Sequence, residues 1–491
     1  MAEATKAKTK LGGKRQLTLI DTIAQSVGLM GPVFSIAFLV PLLVGMNASG
    51  NGAGNAAPLA VVIATIGVFG LGWIVAEYTR KIQAAGSLYD YVTDGLGGRV
   101  GTAAGWLYYT GMLALGAGIL PIIGGTIHDT LQAEFNVAPF SYVVWDVLLL
   151  AMVTTILFFG VMISTRAQLV LALTSVTVVL IFSIFVIAKS GGVHHVATAF
   201  SPSGSPTHWK GVLFGVLYGV LLFTGFETSA NLGEETRDPH HNIPRAVLIS
   251  VLAIAGFYVI GSFAQVSGYH FSLNLLGKNA AAPLFGLAGP TSQGGFASVA
   301  IRRLVELVVV FDMMAVLIGC ATSASRGVFA LARDSRMPRA LTKISRHGTP
   351  LGANNFVVVV YAIVITLVLT STLFALPQLP EYVSMFYFLS TYGGFAIAVI
   401  YLLISVGALR GLKSARKAWQ LYSASTVGIL VTAAAIFGAI YKVTAPLVYA
   451  PYAAIVILVI GLIASTMVPA APSGMADFSG LSEAEQGPLK I

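Results

Sequence analysis

Charge is what this sequence has least of. Only 10% of its 491 residues are Asp, Glu, Lys or Arg, against 56% hydrophobic. Soluble globular chains are about one-quarter charged, so this one could not cover its surface with polar groups. Cysteine is almost absent. Cys320 stands alone, which excludes an internal disulfide and leaves it as a small residue for helix packing. Neither H-E-x-x-H nor G-x-S-x-G occurs, so the familiar motifs of membrane-embedded hydrolysis are missing, and no enzyme is expected. The pairs His194–His195 and His240–His241 fall in loops. No Cys or acid completes a metal-ligand set around them, and no cofactor is implied. Nothing resembles a soluble domain; the longest hydrophilic stretches, 269–301 and the tail from Pro469, read as loop and tail.

What is present is a series of long apolar runs, near 21–46, 59–79, 100–128, 141–161, 167–189, 211–233, 246–268, 302–331, 355–376, 383–408, 421–441 and 448–468. They predict an all-α polytopic membrane protein of about twelve transmembrane helices. The short alternating strands of a membrane barrel do not appear. Basic residues set the orientation. With the N-terminus inside, 22 of the 28 Lys and Arg fall on cytoplasmic segments, and Lys189, Lys210, Lys278, Arg302, Arg303 and Lys442 fall outside. Both ends are therefore expected in the cytoplasm, in a cell (plasma or inner) membrane. The net charge of +9 reads as orientation and contact with anionic lipid, not as nucleic-acid binding.

Two spans are interrupted. The first contains "SVGLMGPVFS" (26–35) and the sixth "LLFTGFET" (221–228). If spans 1–5 and 6–10 are two repeats, an odd count of five inverts the second. Broken segments at matching places in inverted halves point to a transporter's site at the bilayer midplane. The expected division is a basic tail 1–20, a first repeat 21–208, a second 209–410, added helices 11 and 12 over 411–468, and a C-terminal tail 469–491.

Three stretches resemble one family, the amino acid–polyamine–organocation permeases. "GFETSANLGEETRDPHHNIPRA" (225–246) is similar to its sixth-helix signature, and "AEYTRKIQAAGSLYDYV" (76–92) to its helix 2–helix 3 stretch. "SRGVFALARDSRMPRALTKISRHGTP" (325–350) is similar to the segment after helix 8, with Ser335 where the family usually has Gly. The resemblance implies a LeuT-like inverted five-helix repeat plus two helices. It also implies amino acids, amines or polyamines as substrates, carried by alternating access.

Unwinding the first span at Gly28–Pro32 frees N–H groups suited to a substrate carboxylate. Interrupting the sixth at Thr224–Gly225 exposes carbonyls suited to an ammonium. The resemblance assigns Ser26, Gly28, Met30 and Gly31 to the carboxylate side and Phe223, Thr224 and Gly225 opposite. Phe223 is a candidate lid or a packing residue; of Trp106, Tyr108 and Tyr109, one is expected to gate, and Trp106 is taken.

Glu227 lies inside the apolar stretch, where a carboxylate costs on the order of 3 kcal/mol on insertion scales. It reads as a proton-sensitive latch or as a structural acid capping the broken helix. Asp312, about 15 Å from the outer end of helix 8 at 1.5 Å per residue, is near the midplane. It reads as a proton acceptor, a partner for a substrate amine, or a structural acceptor. Some proton-dependent relatives carry a lysine in helix 5 where others hold sodium; here Thr174 and Ser175 stand in its stead. With Gly319, Thr322 and Ser323 they leave a sodium site open, although proton coupling is preferred. Glu234, Glu235, Arg237 and Arg245 are expected in cytoplasmic gate or loop salt bridges, each worth little when exposed. The expected function is proton-coupled transport of amino acids or amines. Alternatives are sodium symport, exchange of amines or polyamines, or nutrient sensing on a transporter scaffold.

Overall fold

A computed structural model describes residues 16–45, 52–137, 139–279, 283–372, 374–375, 380–413, 418–440 and 445–467. Residues 1–15 of the expected basic tail 1–20, and all of the expected C-terminal tail 469–491, lie outside the described residues. The first span is two helices, α1 (Leu19–Met30) and α2 (Pro32–Phe38). The following spans are α3 (Ala57–Lys81), then, past a short connecting helix α4 (Leu88–Leu96), α5 (Gly98–Phe135), α6 (Tyr142–Phe159) and α7 (Val161–Lys189). The second half holds α8 (Trp209–Leu222), α9 (Pro239–Gly268), α10 (Val299–Arg333), α11 (Leu351–Thr370) and α12 (Glu381–Gly411). Helices α13 (Ala418–Ile440) and α14 (Tyr449–Met467) follow.

Among the described residues, 11 helical stretches are long and apolar enough to cross a membrane. The sixth span, α8, is shorter because its break cuts it at Leu222; a 3₁₀ segment, Thr228–Leu232, continues it. Twelve spans result, and the fold is the inverted five-helix repeat with two additions. Hydropathy finds the spans but not all of their ends. Helix α9 starts at Pro239, with Pro at its first position and Asp238 before it, two turns ahead of the apolar run. Its opening His-His-Asn is polar, so a hydropathy window passes over a helix that proline has already begun. The 38 residues of α5 reach about 57 Å at 1.5 Å per residue, well past the hydrocarbon.

Several local rules set the frame of the site. Thr18 and Asp21 form a reciprocal cap on α1: Thr18 N–H donates to Asp21 Oδ2 at 2.9 Å, and Asp21 N–H to Thr18 Oγ1 at 3.4 Å. Helices α5 and α12 approach closely at Gly111 and Gly393, where a Cβ on Gly393 would come within 2.9 Å of the Gly111 carbonyl. Ser335, where the resemblance expects Gly, has φ 60°, the left-handed conformation Gly adopts freely.

Between α1 and α2, Gly31 has φ 53° and ψ 65°, and a Cβ there would sit 2.3 Å from Val316 Cγ2. Gly31→Ala should therefore lose both its backbone conformation and its fit against α10, at about 1–3 kcal/mol for the backbone alone. The expected result is a lower melting temperature in detergent, partly recovered by adding Val316→Ala. Wild-type melting of Gly31→Ala would remove the break from the list of conformational requirements.

Candidate functional site

Glu227 is fully buried, and its carboxylate is saturated with donors. Oε1 accepts from Tyr108 Oη of α5 at 2.9 Å; Oε2 accepts from Tyr401 Oη of α12 at 2.6 Å and from the Gly225 N–H at 3.2 Å. Three donors offset the desolvation of a buried charge. Glu227 precedes the 3₁₀ segment without capping it through its side chain, which corrects the expected capping role. It ties the broken sixth span to α5 and α12. Among the aromatics of α5, then, Tyr108 reaches the break, while Tyr109 donates to the Gly86 carbonyl at 2.7 Å. Trp106 is half-buried and is not on the wall of the cavity described below.

Asp312 of α10 lies across the first break. Its Oδ2 accepts from the N–H groups of Val33 at 2.9 Å and Phe34 at 2.8 Å, and Oδ1 is buried with no hydrogen-bond partner. The Ser35 N–H returns to the Gly31 carbonyl at 2.8 Å. The donors expected to be open for a substrate carboxylate are held by the protein's own carboxylate instead. The carbonyls of the sixth span are similarly engaged. Tyr258 of α9 donates to the Leu222 carbonyl at 2.5 Å, Phe226 N–H to Phe223 O at 3.2 Å, and Thr228 Oγ1 to Gly225 O at 2.7 Å. Ser26 knits the two breaks together, donating to the Phe226 carbonyl at 2.7 Å and accepting from the Ser229 N–H at 3.1 Å.

Beside the breaks is a cavity of about 150 Å³. Of the residues expected to meet substrate, Met30 and Thr224 line it; Ser26, Gly28, Gly31, Phe223 and Gly225 do not. Gly28 faces Gln168 of α7, whose Oε1 is 2.7 Å from a Cβ built there. Phe223 is no lid: it is fully buried edge-on against Tyr258, ring centroids 5.0 Å apart. Sequence reasoning missed the wall supplied by α12, where Phe386, Tyr387, Ser390, Thr391 and Gly394 line the space. Its signal was "STYGG" (390–394), a small and polar patch in an apolar span. Phe386 meets Phe34 edge-on at 5.5 Å. Cys320, expected as a packing residue, is on the cavity wall.

Several of the oxygens considered for sodium are bonded within the protein. Thr174 is exposed and bonds the Val170 carbonyl at 2.8 Å, and Ser175 bonds the Leu171 carbonyl at 2.6 Å. The Gly319 carbonyl accepts from Gln25 Nε2 at 3.3 Å; Gln168 Nε2 in turn donates to Gln25 Oε1 at 3.2 Å. Ser323 bonds Asn231, and the Thr322 carbonyl accepts from Arg326 at 3.2 Å. Hydroxyls in helices often bond their own backbone, and here Thr174 and Ser175 do.

At the end where most basic residues gather, two ion pairs hold the loop after the sixth span to α10. Arg326 Nε meets Glu235 Oε2 at 2.9 Å, with side chains 2% and 4% exposed. Arg333 meets Glu234 at 2.7 Å, and Glu234 also accepts from the Ala85 N–H at 3.1 Å. The first bridge is buried and the second half-buried, and their cations come from α10, not from Arg237 or Arg245. Leu17 adds a short backbone pairing, donating to the Glu235 carbonyl and accepting from the Arg237 N–H, both at 2.9 Å.

The family model for amino acid permeases matches residues 26–479. The chain belongs to the amino acid permease family. Among curated relatives, the branched-chain amino acid permease BcaP of Bacillus subtilis is 24% identical over 321 residues, 61% of this chain and 64% of its own length. Cationic amino acid transporter 3 of Arabidopsis thaliana is 27% identical over 303 residues, 59% of this chain and 48% of its own length. The chain thus spans from about half to just under two thirds of these relatives' lengths. A manganese transporter of Eremococcus coleocola has the same fold, with a TM-score of 0.53 at 13% identity over 91% of this chain and 94% of the other.

The pairs at the basic end surround a third acid, Asp90 of α4. It is buried, and its Oδ2 has no hydrogen-bond partner. Burial, and then the charge of Asp334, push its carboxyl up from 3.8 to about 8; Arg333 opposes this, Glu234 adds to it, and the Gly86 N–H opposes it. Folded-state binding of that proton stabilises the protein fully below 3.8, and the contribution is lost as pH rises through about 8. Asp90→Asn, which mimics the neutral acid, should flatten the loss of thermal stability between pH 7 and 9 in detergent. An equally steep loss in the variant would assign the alkaline sensitivity to another group.

Proposed function

We propose that the protein is a permease that carries an amino acid through this cavity by alternating access, driven by protons. The observation that carries the reading is the cavity's position: its wall includes Met30, the last residue before the first break, and Thr224, inside the second. Two interrupted helices can change shape at the cavity without unfolding a whole span. The halves are taken as 21–208 and 209–410, with both termini in the cytoplasm by the charge count. On that orientation the two ion pairs close the cytoplasmic side.

Asp312 is the residue assigned to the proton. Its Oδ2 docks α10 to the first break, and its Oδ1 is buried with no hydrogen-bond partner, which leaves it a lone pair for a proton. Loading that proton neutralises the acceptor and weakens its two bonds to Val33 and Phe34. Three observations favour protons over sodium: the Gly319 carbonyl is engaged by Gln25, Ser323 by Asn231, and Thr174 and Ser175 by their own helix. Glu227, held by three donors, is read as a structural tie.

Uptake into proteoliposomes, one radiolabelled amino acid at a time and under pH and sodium gradients imposed separately, tests the reading; the relatives make leucine the first choice. Asp312→Asn keeps an oxygen for the two N–H groups but cannot carry the proton. It should retain exchange of internal for external substrate and lose accumulation driven by a pH gradient. If the variant still concentrates substrate under that gradient, Asp312 is structural.

Cys320 gives an independent check of the cavity. A small methanethiosulfonate reagent should inhibit the wild type and not Cys320→Ala, and a transported amino acid at saturation should protect. Labelling at the same rate with and without that amino acid would exclude the cavity as the substrate site.

A further inference from the structure

Resting on the permease reading, we infer that the cavity selects amino acids with uncharged, apolar side chains. The relatives' names point two ways, to branched-chain and to cationic substrates. The chemistry of the wall separates them. Among the described residues lining the cavity, none is charged. Leu115 and Ile119 of α5, Leu221 of α8, Val316 of α10 and Phe386 of α12 give it an aliphatic and aromatic surface.

The two buried acids nearby are turned elsewhere. Asp312 Oδ2 faces the Val33 and Phe34 N–H groups and its unpartnered Oδ1 is buried, Glu227 faces Tyr108, Tyr401 and the Gly225 N–H, and neither residue is on the wall. A substrate's second ammonium or guanidinium would lose its water here and meet no carboxylate, and an unpaired charge in such a place is strongly disfavoured. Size agrees with the chemistry. An apolar cavity of about 150 Å³ accepts a group the size of benzene, which suits an aliphatic or phenyl side chain.

Polar groups on the wall are hydroxyls, and several are already engaged. Ser35 donates to the Met30 carbonyl at 3.0 Å, and Thr391 donates to the Tyr387 carbonyl at 2.7 Å. The wall therefore offers a cation hydroxyls and no carboxylate.

Norleucine and lysine test this directly, because both have a four-carbon straight side chain and differ by the terminal ammonium. In proteoliposomes holding the wild-type protein, norleucine should compete with labelled leucine at least about 100-fold better than lysine does. Lysine competing as well as norleucine would overturn the inference while leaving the permease reading intact. No uptake of leucine, norleucine or lysine would instead remove the permease reading itself.

Discussion

A helix broken inside hydrocarbon leaves backbone groups that water cannot reach, and the interior of this protein is arranged around satisfying them. Asp312 accepts the two N–H groups that open α2, Tyr258 donates to the carbonyl that ends α8, and Glu227 accepts the Gly225 N–H beyond it. Each partner comes from a different part of the chain, so the breaks are also the points where α5, α9, α10 and α12 are fastened to the two halves. Removing one partner leaves a buried group unsatisfied, at about 1–3 kcal/mol or more if it is charged. Local irregularity and global packing are thus one constraint.

That constraint explains which parts of the site were legible in the sequence. Gly31 before Pro32, and Gly225 before Phe226-Glu227, were visible as interruptions because Gly and Pro act on the chain locally. Asp312 and Glu227 stood out because a carboxylate in an apolar run is rare. Their partners were not legible, since Val33 and Phe34 lie about 280 residues from Asp312 and Tyr401 lies 174 residues from Glu227. The donors of α2 therefore looked open until a distant helix was seen to occupy them. The start of α9 at Pro239 and the buried state of Glu235 failed for a related reason: both segments are polar in sequence and acquire their surroundings from the fold.

The cavity wall from α12 shows a different limit. Ser390, Thr391 and Gly394 belong to an ordinary apolar span by composition, and which face of that span meets the cavity follows from its packing against α5 at Gly111 and Gly393. Phe223 illustrates the converse. Its position within the break suggested contact with substrate, but the turn at Phe223 directs the ring onto Tyr258, and the break's contribution to the wall is Thr224.

The two sides of the cavity are closed by different physical means. Toward the basic end stand Glu227 with its two tyrosines and then the Glu235–Arg326 and Glu234–Arg333 pairs, the first pair buried and the second half-buried. Toward the other end the cover is aromatic, with Phe34 against Phe38 and Phe386, ring centroids 5.5 Å apart in both cases. An ionic closure is stiff while dry and loosens once water solvates its charges, because breaking a pair is costly only if the partners stay buried. An aromatic closure opens in smaller steps, since each ring contact contributes about 0.5–1.5 kcal/mol beyond its buried area. On these terms the aromatic side costs less to open, whereas the ionic side opens only where water reaches its charges.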